Sequence, residues 1–134
     1  MWIENVAMWA IEAGHHYDAG DNSMLIQIVD PDVEFPIAKL KFKTTRGYKF
    51  LDIDGNDEDP KGWAIKDSQA KSIAEDLRFA YDNSMNVVVH CHMGVCRSGA
   101  VVEAGVMIGF QDTETFRAPN ILVKSKLMHH LGLI

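Results

Sequence analysis

Val87-Val88-Val89-His90-Cys91-His92-Met93-Gly94-Val95-Cys96-Arg97-Ser98 is the stretch whose reading decides the fold of this chain. Three consecutive valines make an unbroken apolar run, the pattern of a strand buried on both faces of a sheet. Beyond Ser98, Gly99 to Ile108 (GAVVEAGVMI) is apolar apart from Glu103, and a helix apolar all round belongs in a core. A glycine-bearing loop therefore joins the end of a buried strand to the start of a buried helix. At such a junction backbone N–H groups point outward and the helix dipole favours an anion.

The residue types in the loop suit that place. If His92, Met93, Gly94, Val95, Cys96 and Arg97 curl so that successive N–H groups converge, they form a nest for a tetrahedral oxyanion. The planar fork of Arg97 grips two of the anion's oxygens. A thiol at a helix N-terminus beside a cation is favoured as thiolate, the nucleophilic form, which gives Cys91 its role. Ser98 is placed to donate a hydrogen bond to that sulfur and make it a better leaving group.

The same residues carry a resemblance. His90-Cys91-x-x-Gly94-x-x-Arg97-Ser98 resembles the signature loop of the protein tyrosine phosphatase superfamily, Cys-x5-Arg-[Ser/Thr] with its leading histidine and mid-loop glycine. It looks most like the small dual-specificity-like phosphatases, including compact forms carried by bacteria and their phages. Tyr48 to Ser68 and the final helix resemble the family more loosely, and the N-terminal third carries no comparable match. The resemblance implies an α/β fold and a phosphomonoesterase acting on phosphotyrosine, and also on phosphoserine or phosphothreonine, through a phosphocysteine intermediate. It implies no cofactor and no metal. Cys91, Arg97 and Ser98 would be catalytic, together with an aspartate that protonates the leaving oxygen.

That aspartate falls in Asp52 to Trp63 (DIDGNDEDPKGW), otherwise an ordinary solvated acidic loop. A poised carboxylic acid protonates the departing alkoxide or phenoxide and then, as carboxylate, activates water. Family members carry it on a loop just past a strand. Matching strand to strand gives Asp57, the Asn56-Asp57 pair resembling the family pattern, with Asp59 second and Asp54 third. Trp63 either caps the pocket or packs under the loop.

Bulk properties set the frame. With 134 residues the chain is read as one domain, 1–134, holding one sheet and its covering helices. The net charge of −6 argues against nucleic acid or an anionic membrane as the main partner, and the resemblance implies a phosphorylated protein or peptide instead. No apolar run approaches a membrane span and no signal peptide is visible. Two cysteines do not make a disulfide framework, and a nucleophilic Cys91 implies a reducing cytoplasm.

Along the chain, Trp2 to Met8 reads as an edge strand followed by a helical turn through Ile11 and Ala13. Gly14 to Ser23 is a polar loop in which His15, His16 and Tyr17 are read as solvated. Met24 to Val29 is a core strand stopped by Asp30-Pro31. Ala38 to Lys43 alternates Ala38, Leu40 and Phe42 against Lys39, Lys41 and Lys43, which reads as a half-exposed edge strand. Tyr48 to Ile53 is the next strand. Asp67 to Asp82 is an amphipathic helix capped by Asp67 or Ser68. Gln111 to Arg117 is a polar connection, and Pro119-Asn120 opens a last helix through about His130, where His129 and His130 are read as surface residues. The fold class is α/β: a central, mostly parallel sheet of four to five strands with mixed edge strands, flanked by helices.

Other chemistries fit less well. His90, Cys91, His92 and Cys96 make a conceivable zinc set, but Arg97 beside them repels a cation. His90 is read as a support for the loop, bonded to its backbone, rather than as a base. Cys96 is either a small residue tucked against the loop or the partner of Cys91 in a reversible disulfide. Phosphoinositide phosphatases of the superfamily carry lysines inside this loop, and RNA triphosphatase relatives follow the arginine with threonine. A phosphoprotein-binding pseudophosphatase is the rival from another class.

Overall fold

The computed structural model describes residues 1–134. Its centre is a five-stranded sheet in the order β3-β2-β4-β1-β5. The strands are β1 (Trp2–Ala7), β2 (Ser23–Val29), β3 (Thr44–Lys49), β4 (Asn86–Cys91) and β5 (Gln111–Asp112). Every pairing is parallel, so the expected mixed edges are absent. The helices are α1 (Met8–Ala13), α2 (Asp67–Asp82), α3 (Arg97–Met107) and α4 (Ile121–His130). No helix is long and apolar enough to cross a membrane.

The apolar run at Val87–Val89 is fully buried on both faces, as its composition requires. Val87 and Val89 join Met24, Ile26 and Ile28 in the main core, under α2, α3 and α4. Val88 and Leu25 point the other way, into a smaller cluster closed by Ile11, Ala19, Phe42 and Ala38. Helix α3 lies so close to β1 that a Cβ on Gly105 would come within 2.6 Å of Ile3 Cδ1. Its one acidic residue, Glu103, accepts from Arg117 Nε at 2.6 Å, and Arg117 also clasps Asp112 at 2.8 and 3.0 Å. This pairing ties the connection after β5 to α3.

Several sequence expectations are corrected. The first strand is not an edge: β1 lies between β4 and the short β5. Ala38 to Lys43 forms no strand. Its alternation of half-buried and exposed side chains is real and continues to Lys49, but only Thr44–Lys49 meets a partner, β2. The strand expected over Tyr48 to Ile53 therefore starts earlier, at Thr44, and ends at Lys49. Helix α2 begins after Lys66, whose N–H is held by Gln69 Oε1 at 2.8 Å, rather than after an Asp67 or Ser68 cap. Asn120 caps α4 by accepting from Val123 N–H at 3.0 Å. His130 is half-buried, with Nε2 2.8 Å from Asp67 Oδ1, and so joins α4 to the start of α2.

Candidate active site

The loop from His92 to Cys96 sits where β4 ends and α3 begins, at the carboxyl edge of the parallel sheet, where such folds place ligands. Its backbone polarity is sorted by the scaffold around it. The carbonyl of His92 accepts from Met8 N–H at 3.2 Å, and that of Val95 from Ala118 N–H at 3.2 Å. Cys96 O accepts from both Ala100 and Asn120 N–H at 3.0 Å. Gly94 O accepts from Asn5 Nδ2 at 2.7 Å. A trans peptide points its N–H opposite to its C=O, so holding the carbonyls outward turns the following amides inward. No N–H from His92 to Cys96 has an acceptor within the chain. Unpaired amides of this kind are what a nest requires.

Gly94 is the residue that lets this loop lie down on the strand beneath it. Its φ is +72°, and a Cβ there would meet Val6 C at 2.3 Å and Ala7 N at 2.4 Å. Both neighbours are backbone and cannot step aside. Gly94→Ala is therefore expected to lower stability by at least about 2 kcal/mol, from the left-handed penalty plus the overlap. Urea unfolding with an unchanged m-value measures it, and a cost under about 0.5 kcal/mol would show that loop and strand separate easily.

Cys91 is buried at the end of β4, with its Sγ 3.2 Å from Ser98 Oγ on the first turn of α3. Arg97 is also buried. Its Nη1 donates to Phe50 O and to Asp30 Oδ1, each at 2.7 Å, while its buried Nε has no partner. One corner of the guanidinium is pinned and another is left to a ligand. His90 Nε2 lies 3.1 Å from Gln27 Oε1 on β2, so the neighbouring strand supports the ring beside the Cys91 backbone. Burial, with Arg97 adding to it, pushes His90 down to about 4, which keeps the ring neutral. Both cysteines are free. Burial and the nearby Asp52 carboxylate push the Cys96 thiol up, the opposite of what a reactive thiol needs. His92 and Met93 are exposed at the loop's crest.

The acidic segment shows how its carboxylates are used. Asp59 accepts from Trp63 and Ala64 N–H at 2.7 and 3.1 Å, and Asp54 accepts from Asn56 N–H at 2.9 Å. Asp57 is exposed, with Oδ2 on Asp54 N–H at 3.1 Å and Oδ1 uncommitted. Trp63 is half-buried, beneath the Lys61 ammonium at 4.6 Å. Two carboxylates that sequence reasoning passed over stand against the loop itself. Asp30 pairs with Arg97, and Asp52 lies beside Cys96 while accepting from Asn120 Nδ2 at 2.7 Å. The available signal for Asp30 was its place at the carboxyl end of a core strand, where it was read only as part of a stop.

The five-stranded parallel sheet flanked by helices matches the DUSP phosphatase fold. The crystal structure of human DUSP28 matches with a TM-score of 0.60, covering 98% of this chain and 92% of that one at 16% identity. A point variant of human DUSP28 matches with a TM-score of 0.58, covering 95% and 87% of the two chains at 14% identity. No protein-family model and no curated protein matches the sequence.

Proposed function

We propose that this chain is a cysteine-dependent phosphomonoesterase acting on phosphotyrosine, and also on phosphoserine or phosphothreonine, in protein or peptide substrates. The observation that carries the reading is the combination around Cys91: outward-held loop carbonyls, amides from His92 to Cys96 without acceptors, and the unpartnered Nε of Arg97. The dual-specificity phosphatase fold shared with human DUSP28 supports it. The reducing cytoplasm suits the two free thiols.

In this reading the phosphoryl group lies in the nest, two of its oxygens on Arg97. The Cys91 thiolate attacks phosphorus, the bond from phosphorus to the ester oxygen breaks, and Asp57 gives that oxygen its proton. Water then attacks the phosphocysteine, Asp57 takes the water's proton, and the S–P bond breaks to release phosphate. Ser98 Oγ, 3.2 Å from the sulfur, donates to the departing thiolate. Asp57 is favoured over Asp59 and Asp54 because it is exposed with one oxygen uncommitted, whereas Asp59 binds two backbone amides.

Hydrolysis of aryl phosphates without metal and with reductant, between about pH 5 and 8, tests the assignment. Asp57→Asn is expected to lower kcat on phenyl phosphate about 100-fold and less on p-nitrophenyl phosphate, whose better leaving group needs less protonation. Equal turnover by Asp57→Asn on both substrates passes the role to Asp59. Tight binding of phosphopeptides that requires Arg97, with no hydrolysis by the native protein, would make the chain a pseudophosphatase instead.

A further inference from the structure

Strand β5 pairs with β1 only at Trp2 and Ile3; beyond them Thr115, Phe116 and Gly94 pack against Glu4 and Asn5. Two adjoining cavities of about 460 and 370 Å³ lie there, sharing Glu4, His15 and His16. The second reaches Met93, Gly94 and Val95, the flank of the phosphate loop. The His15–Tyr17 loop, read from sequence as merely solvated, walls a site.

Glu4 and Asn5 each keep one buried acceptor without a donor. Glu4 is only 7% exposed; its Oε1 accepts from Thr115 Oγ1 at 3.1 Å and its buried Oε2 has no partner. Asn5 spends both Nδ2 protons, on Gly94 O at 2.7 Å and Phe116 O at 2.9 Å, leaving its buried Oδ1 as an unpartnered acceptor. His16 stands beside Glu4, with Nδ1 2.9 Å from Tyr17 O and a buried Nε2 that has no partner. A ligand that supplies donors alone is an ammonium or guanidinium. No group of three His, Cys, Asp or Glu side chains is placed to hold a metal ion.

The rim fits the stem and face of such a cation. Trp9 and Phe116 line the cavity with 60% and 76% of their surfaces exposed, beside Met93 at 69%. Aromatic faces attract Lys and Arg heads, and apolar side chains cover their methylenes. Burial pushes the Glu4 carboxyl up, and a bound cation would offset that cost of ionisation.

We infer that this pocket is a subsite for a lysine or arginine side chain of the phosphorylated peptide whose phosphoryl group occupies the neighbouring nest. The inference rests on the phosphatase reading for its substrate and on the unpartnered Glu4 Oε2 and Asn5 Oδ1 for its chemistry.

The test walks a single arginine through positions on both sides of the phosphotyrosine in an alanine peptide. At one position kcat/KM rises at least about tenfold over the all-alanine peptide, and Glu4→Gln removes the gain while its turnover of p-nitrophenyl phosphate stays native. Glutamine keeps the bond from Thr115, so the variant tests charge rather than folding. A gain below about twofold at every position, or one undiminished in Glu4→Gln, overturns the subsite. If no phosphopeptide is hydrolysed, the phosphatase reading falls by itself, and the subsite is read from the Trp9 indole N–H resonance during titration with N-acetylarginine amide. A shift in the native protein that Glu4→Gln abolishes supports the subsite, and no shift overturns it.

Discussion

Cys91→Ser is expected to lower kcat/KM on p-nitrophenyl phosphate by at least about 10⁴-fold, the scale on which removal of a covalent nucleophile acts. The reason lies in what surrounds the sulfur. Serine keeps the size and the hydrogen bond to Ser98, now 3.2 Å from a sulfur. It does not keep the ionisation, because a hydroxyl attacks only when a base takes its proton. The nearest imidazole, His90, is held neutral by burial, and its Nε2 is tied to Gln27. The nest does not depend on the sulfur, since its carbonyls are held by Met8, Asn5, Ala118 and Asn120. Phosphopeptide binding by titration calorimetry should therefore survive within a few-fold while turnover disappears. Residual turnover within about tenfold of native would place the nucleophile elsewhere, on an activated water.

The legibility of the site in the sequence follows from where its partners sit. Cys91, Arg97 and Ser98 share one short stretch between a valine run and an apolar helix, so spacing alone brings them together. The groups that hold Arg97, Asp30 and the Phe50 carbonyl, arrive from the ends of different segments, and no local period announces them. The same holds for β1. It was expected at an edge, yet Glu4 and Asn5 within it are buried because Thr115, Gly94 and Phe116 come to meet them from far along the chain. Alternation at Ala38 to Lys43 reported a real two-sided environment, with Ala38 and Phe42 packed on the smaller core, but an extended segment laid over a sheet alternates as a strand does. What periodicity records is burial; a ladder needs a partner in register, and only Thr44–Lys49 has one.

Arg97→Lys keeps the positive charge and should still lower kcat/KM by about 10²–10⁴-fold, the worth of one or two charge-assisted hydrogen bonds. The native guanidinium divides its work: Nη1 is fixed by Phe50 O and Asp30 at 2.7 Å each, and the buried Nε is left for the phosphoryl oxygens. A lysine ammonium is a point donor. Drawn to Asp30 it abandons the anion, and drawn to the anion it abandons its anchor. Asp30 is half-exposed, so losing Nη1 leaves it to water. The Phe50 carbonyl, by contrast, loses the donor of a buried bond, so the variant should unfold at a lower temperature unless the ammonium replaces that donor. Comparing inhibition by phosphate and by orthovanadate locates the loss. If the fork is shaped for the trigonal-bipyramidal transition state, vanadate binding weakens by more than phosphate binding. Equal weakening would mean that Arg97 holds ground state and transition state alike, and that kcat depends on the amides of His92 to Cys96.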